Sequence, residues 1–223
     1  MIRLIVLLIL MLMANLAPTF AQTSKRSFNK VLADSLHNMV KTDQIAANFR
    51  QGRFLELPPE AWQQFKDSVF GTHQQILDKM FQQYGYPGYD LVGKDGEHDF
   101  WLMVQHCDKK PDFQDKILTA MQLEVKRNNA DPKNYAYLID RVRLNTGRKQ
   151  VYGTQVMYRR DICQAIPKPL EDSATVNVRR KSVGLEYVEA YLNTMTTAHF
   201  EMNKANMEER GIKGPTLHVV PKD

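Results

Sequence analysis

Apolar residues recur three and four positions apart along most of the chain, which is the spacing of one face of an amphipathic helix. Asp131 followed by Pro132 is a strong helix start, because aspartate caps the N-terminus and proline fits the first turn. Ser27 is the expected cap of the first helix and Ser173 that of the last, which Gly184 would interrupt. The pattern predicts helices over residues 27–50, 60–84, 97–107, 112–127, 132–144 and 173–199.

Two other segments break the helical pattern. Residues 92–96 are rich in glycine and predict a loop before the third helix. Residues 149–158 alternate and are rich in β-formers, so they predict a strand, and 161–166 could pair with it. The expected fold class is mainly α: a single domain over residues 22–200, with about six helices and a small β-hairpin or ribbon near residues 149–166. Residues 201–223 are expected to form a flexible tail.

The N-terminus has the features of an export signal. Arg3 precedes an apolar run over residues 4–14, and small residues lead up to Ala21. We therefore expect a signal peptide over residues 1–21 and an exported protein, periplasmic or secreted. The run is short for a membrane span, which needs about 20 residues, so an uncleaved anchor is the less favoured alternative.

Composition narrows the classes of partner and chemistry. The net charge is +5 and the basic clusters are short, so we expect no nucleic-acid partner. Metalloprotease, phosphate-loop and nucleophile-elbow motifs are absent, and no cofactor is expected. His98, His106 and Asp108 have no diagnostic metal-ligand spacing, so no metal is expected. Cys107 and Cys163 could pair in an oxidising compartment or remain free.

The third predicted helix carries the first candidate site residues. Gln105 and His106 lie three and four residues after the apolar Trp101, Leu102 and Met103, so both flank the buried face. A histidine placed there can be a core residue bonded to backbone or carboxylate. It can also act as a general acid or base.

The fifth predicted helix carries a second group. Asp140 and Arg141 lie at the edges of its apolar face, and Tyr137 lies in the same motif. Asp140 and Arg141 could form a structural ion pair. Alternatively, Asp140 could orient His106 while Arg141 holds an anionic group.

The predicted strand carries a third group, which would form the wall of a pocket. Gln150, Tyr152 and Thr154 would face one side, whereas Gln155 and Gly153 would face the other. These side chains could bind a ligand by hydrogen bonds. They could equally be ladder partners of an edge strand.

Five short motifs follow one another along the chain. They read Gly85-Tyr86-Pro87-Gly88, Gln105-His106-Cys107-Asp108, Tyr137-Leu138-Ile139-Asp140-Arg141, Tyr152-Gly153-Thr154-Gln155 and Arg179-Arg180-Lys181-Ser182-Val183-Gly184-Leu185. In these motifs and their order the chain resembles a bacterial, often exported, family of domains of unknown function over roughly residues 43–192. Cys107 replaces a small residue such as alanine, which favours a packing role. The resemblance implies one shared site but no activity.

Three functions are consistent with these residues. The first is binding of a small polar or anionic ligand, or a peptide, in a pocket formed by the Gln-His, Asp-Arg and Tyr-Gly-Thr-Gln motifs. The second is a hydrolase or lyase that uses His106 as general acid or base, oriented by Asp140. The third is a structural polar network in a protein that acts through its surface.

Overall fold

The fold is mainly helical, and a computed structural model describes residues 26–222. Within that range there are eight α-helices and two strands: α1 (Lys30–Ala47), α2 (Pro59–Tyr84), α3 (Tyr89–Gln105), α4 (Pro111–Lys126), α5 (Pro132–Asn145), β1 (Val156–Arg159), β2 (Gln164–Pro167), α6 (Val176–Ser182), α7 (Val188–Met202) and α8 (Lys204–Glu209). The helical class and the small hairpin are confirmed, whereas the predicted number of about six helices is too low. The predicted signal peptide lies outside the described residues.

The helix starts follow local capping chemistry. The Asp131 side chain accepts a hydrogen bond from the backbone N–H of Lys133 at 2.8 Å, as the Asp-Pro pair predicts. The first helix begins later than expected, because Asn29 caps it and Ser27 does not. The Asn29 side chain accepts from the backbone N–H of Leu32 at 3.0 Å.

The third helix begins well before the predicted boundary. Residues 92–96 were expected to form a loop, but α3 includes them and is interrupted only at Gly93, where φ is 74° and ψ is 176°. Glycine tolerates this left-handed conformation without a steric penalty. Leu91 and Val92 are both buried, so tertiary packing outweighs the local glycine content.

The apolar side chains form two main clusters. The larger cluster lies among α1 to α5, with Leu36, Phe100 and Ile117 fully buried. A smaller cluster joins the hairpin to α6 and α7 through Ala165 and Leu192, among others. The predicted last helix is divided between these elements, because the backbone at Gly184 is left-handed, with φ at 75°.

The hairpin is shorter than predicted. β1 and β2 pair antiparallel with Val156 opposite Pro167, but Gln150 makes only an isolated bridge to Leu170. The strand prediction is wrong over residues 151–155. Their backbone N–H groups bond to side chains, including that of Asp140, instead of to a neighbouring strand.

The C-terminal segment packs against the domain, although a flexible tail was predicted. Met207 of α8 is buried beside Phe200. Further along, the backbone N–H of Thr216 donates to the carbonyl of Cys163 at 3.1 Å, and His218 Nε2 lies 2.7 Å from the carbonyl oxygen of Ala165. These long-range contacts have no periodic signal in the sequence. Across residues 26–222, no helix combines the length and apolar character needed to cross a bilayer.

Candidate functional site

The most distinctive polar contact joins α1 to the end of α3. His106 follows α3 as its C-cap, and its Nδ1 lies 2.7 Å from Oδ2 of Asp43. Asp43 lies in α1 and is fully buried. A carboxylate accepts hydrogen bonds, so this contact places the proton of a neutral His106 ring on Nδ1.

A second histidine shares the same carboxylate. Nδ1 of His73, on α2, lies 3.6 Å from the other oxygen of Asp43, which is too long for a direct hydrogen bond but close enough for electrostatic attraction. Burial alone would raise the pKa of Asp43. The hydrogen bond from His106 and the charge interactions with His106 and His73 outweigh that effect and hold the pKa below its ordinary value. Asp43 is therefore a buried carboxylate that favours its charged form.

The other edge of the His106 ring lies toward a cleft. The side chain of His106 is 19% exposed, and its ring centroid lies 5.1 Å from that of Phe70. Within the described part of the chain, Nε2 of His106 has no hydrogen-bond partner. This nitrogen is free to accept a proton or to contact a ligand.

The cleft has a volume of about 560 Å³, within the usual size range of small-molecule sites. Its walls come from α2, from the end of α1, from α5 and from the segment after α3. The lining residues are Ala47, Gln63, Lys66, Asp67, Phe70, Gly71, Gln74, His106, Cys107, Asp108, Lys109, Lys110 and Arg141. Four of these side chains are cationic and two are carboxylates, so the lining has an excess of positive charge.

Two of the cations are neutralised by the two carboxylates. Arg141 forms a two-pronged pair with Asp108, with Nε–Oδ1 and Nη2–Oδ2 distances of 2.8 and 2.5 Å. Lys109 Nζ lies 2.7 Å from Asp67 Oδ2. Burial alone would raise the pKa of Asp108, but Arg141 and Asn145 together hold it below its ordinary value.

Lys66 and Lys110 carry the remaining positive charge of the cleft. Neither forms an ion pair among residues 26–222, and both line the cleft. The excess charge therefore belongs to two ammonium groups that are available to an incoming anion.

Asp140 does not have the role predicted for it. Its carboxylate is fully buried and accepts hydrogen bonds from the backbone N–H groups of Val151, Tyr152 and Thr154 at 2.6, 3.0 and 2.9 Å. The Thr154 hydroxyl donates a further bond at 3.0 Å. The prediction that Asp140 orients His106 is therefore corrected, because Asp43 occupies that place and Asp140 holds the loop before β1.

The remaining residues of that loop are engaged with one another. Gln150 is buried, and its amide donates to the carbonyls of Gln155 and Lys168, both at 2.9 Å, and accepts from the Gln155 N–H. The carbonyl of Tyr152 accepts from Arg180 at 2.8 Å. None of the loop side chains lines the cleft, so the structure does not place the Tyr-Gly-Thr-Gln motif beside His106.

The Tyr-Gly-Thr-Gln loop and the cleft that contains His106 both contact α5. Consecutive residues of that helix face different neighbours, with Asp140 toward the loop and Arg141 toward the cleft. Tyr137 packs edge-on against two rings, with centroid distances of 6.5 Å to Trp101 and 6.2 Å to Tyr191, and it does not line the cleft. Gln105 does not line the cleft either, and its backbone carbonyl accepts a hydrogen bond from Gln114 at 3.4 Å.

Neither cysteine forms a disulfide. Cys107 and Cys163 are both buried and free. The Cys107 thiol lies 3.5 Å from the carbonyl of Met103, and burial raises its pKa to about 12. A thiol in this environment is not a nucleophile at neutral pH. No group of three candidate metal ligands occurs within the described range.

Sequence reasoning missed Asp43 and His73, although a signal was present. Asp43 lies seven residues after the buried Leu36, on the same helix face, and His73 lies four residues before the buried Leu77. A charged or polar residue on an otherwise apolar stripe needs a partner. Asp43, His73 and His106 are all polar residues of this kind, so the sequence marked each of them as needing a partner.

Comparison with known proteins identifies a family without an assigned activity. The chain belongs to a family of unknown function, DUF6624, whose family model matches residues 31–203. The resemblance to a family of domains of unknown function is thereby confirmed. No curated protein and no solved structure matches the chain.

Proposed function

We propose that the protein binds a small anionic ligand in the cleft between α2 and the segment that follows α3. The observation that carries this proposal is that Lys66 and Lys110, which form no salt bridge in the described part of the chain, lie in the same cleft as the open edge of His106. Anions are recognised by cations and hydrogen-bond donors held around a concave surface. The site supports a phosphate or carboxylate group better than a neutral ligand.

Arg141 has a secondary part in this binding site. Its guanidinium already forms the two-pronged pair with Asp108, so a ligand would have to share it. Phe70 and the unobstructed surface at Gly71 add an apolar wall on which the remainder of a ligand can rest. The site therefore suits a molecule with one anionic end and a modest apolar part.

The Tyr-Gly-Thr-Gln motif is proposed to have a structural role. The closed hydrogen bonding of Gln150 and the four groups that bond to Asp140 support the structural-network alternative for this part of the chain. Of the site residues predicted from the sequence, we therefore assign ligand binding to His106 and Arg141 only.

Calorimetric titration with inorganic phosphate tests the binding proposal. Lys66→Ala and Lys110→Ala should each weaken phosphate binding roughly tenfold, or about 1.4 kcal/mol, close to the lower value for a hydrogen bond to a charged group. Lys181→Ala is the matched control, because it removes an exposed lysine that is not part of the cleft. Equal affinities in all four proteins, or no binding by the wild type, would contradict the proposal.

Export of the protein is a separate proposal, supported by the charged start and apolar run of residues 1–14. Mass spectrometry of the protein recovered from its host tests it. A mature chain beginning at Gln22 is expected, and an intact N-terminus on a cytoplasmic protein would count against export.

A further inference from the structure

We propose that the cleft is the active site of a hydrolase for small phosphate esters, with His106 as the general base and Asp43 as its positioning residue. This inference rests on the anion binding proposed above and goes beyond it. The geometry that carries it is the asymmetry of the His106 ring, whose Nδ1 is held by Asp43 while Nε2 has no partner within residues 26–222.

The contact with Asp43 fixes what the ring can do. With the proton on Nδ1, the lone pair of Nε2 is available to take a proton from a reacting group. The buried carboxylate then stabilises the imidazolium that forms, as a triad aspartate does for its histidine. Asp43 itself has no exposed surface and cannot touch a substrate, so it acts only through His106.

The attacking group is water. The described residues that line the cleft include no serine, threonine or tyrosine, and its one cysteine, Cys107, is buried against the carbonyl of Met103. A covalent enzyme intermediate on a side-chain hydroxyl or thiol is therefore not supported. A water molecule beside Nε2 needs only a base to become a nucleophile.

The reaction is balanced without a further reagent. The oxygen of water forms a bond to phosphorus while the bond from phosphorus to the leaving oxygen breaks. The water proton passes to Nε2 of His106, and the imidazolium returns a proton to the leaving alkoxide. The products are an alcohol and the phosphate with one fewer ester bond.

The charge distribution of the cleft favours a phosphate ester over a neutral ester. Lys66 and Lys110 are compact positive charges, and neither forms a salt bridge within residues 26–222. A phosphoryl group spreads negative charge over several oxygens, and fixed cations stabilise this charge as the transition state forms. A carboxylic ester has no comparable charge to match in the ground state.

Hydrolysis of bis(p-nitrophenyl) phosphate, followed by the release of p-nitrophenol, is the direct assay. His106→Ala should lower kcat/KM by about 10²- to 10⁴-fold, the usual contribution of a general base. The acidic limb of the pH–rate profile should disappear in the same variant. Asp43→Asn should lower kcat with little change in KM, and circular dichroism would establish that it remains folded. His106→Gln provides a second variant that preserves more of the ring volume.

The matched control is a second Asp–His pair, which joins α1 to α3. His37 lies in α1 with Nδ1 3.4 Å from Asp99, but its side chain is 67% exposed and does not line the cleft. His37→Ala should leave the rate unchanged. A full rate in His106→Ala, or an equal loss in His37→Ala, would overturn the assignment of the base.

Phosphate binding separates the two proposals. If wild-type protein binds inorganic phosphate but does not hydrolyse bis(p-nitrophenyl) phosphate or p-nitrophenyl phosphate, the hydrolase is refuted and the anion site stands. If it neither binds nor hydrolyses, both proposals fail. If only p-nitrophenyl acetate is cleaved, and His106 is required, the inferred substrate class is wrong.

Discussion

Replacing Asp43 by Asn tests the buried carboxylate on which the site depends. The change removes one charge and preserves the size of the side chain. The bond from Oδ2 to Nδ1 of His106 is 2.7 Å long, and Asp43 is fully buried, so solvent cannot replace the lost interaction. A hydrogen bond to a charged group contributes about 1.5–3 kcal/mol.

The expected loss of stability is large enough to measure by thermal unfolding. In a domain of about 200 residues, each 1 kcal/mol moves Tm by about 2–4 °C. Asp43→Asn should therefore lower Tm by about 3–12 °C at pH 7. Asp67→Asn is the control, because Asp67 lies in the same cleft but is only partly buried and is paired with Lys109 at the surface. Its Tm should stay close to that of the wild type.

The pH dependence of this difference gives a sharper test. Burial raises the pKa of Asp43, but His106 and His73 lower it more, so its folded pKa is below the unfolded value near 4. A carboxyl group of this kind stabilises the fold fully above its unfolded pKa. The contribution is lost as pH falls through the folded pKa. The gap between wild type and Asp43→Asn should be present at pH 7 and should shrink below about pH 4.

Two results would refute this reasoning. Equal Tm values at pH 7 would mean that the carboxylate contributes nothing to the folded state. A gap that stays constant from pH 7 to strongly acidic conditions would mean that the destabilisation has a steric cause and not an electrostatic one.

Three further predictions address the surrounding structure. Asp140→Asn should destabilise the fold by about 3 kcal/mol or more in urea unfolding, because one acceptor oxygen becomes an NH2 donor that faces loop N–H groups. Phosphate affinity should not change, and reduced affinity would contradict the structural role. Gly71→Ala should raise stability by roughly 0.5–1 kcal/mol, because the new Cβ meets no atom within 4 Å and α2 loses a flexible residue; a lower Tm would contradict it. A thiol reagent should label neither Cys107 nor Cys163 until the protein unfolds, since both are buried and free; labelling of the native protein would contradict that burial.

The parts of the fold that sequence reasoning predicted correctly are those with local causes. The Asp131–Pro132 start and the long apolar periodicity of α2 and α4 are decided within a few residues. The loop before β1 was misassigned as strand because its backbone N–H groups bond to Asp140, which lies more than ten residues away in sequence. Alternation alone cannot reveal such a partner.

Sequence reasoning predicted only part of the candidate site, because some of its contacts join residues that are distant in sequence. His106 and Arg141 were identified, because both are polar residues at the edge of an apolar helix face. Asp43 was missed because its contact with His106 joins residues 63 positions apart and depends on how α1 packs against α3. Polar residues on apolar stripes can be found in a sequence, but their pairing requires the tertiary structure.

The role of His106 in an anion-binding cleft is tested most directly by an NMR titration of the histidine side chains with inorganic phosphate. We expect His106 to carry its proton on Nδ1 and its signals to shift saturably as phosphate binds. Signals of His218, whose Nε2 lies 2.7 Å from the Ala165 carbonyl on another part of the domain, should remain unchanged. A proton on Nε2 of neutral His106 would contradict the role assigned to Asp43, and phosphate shifts that leave His106 unmoved would contradict the anion site.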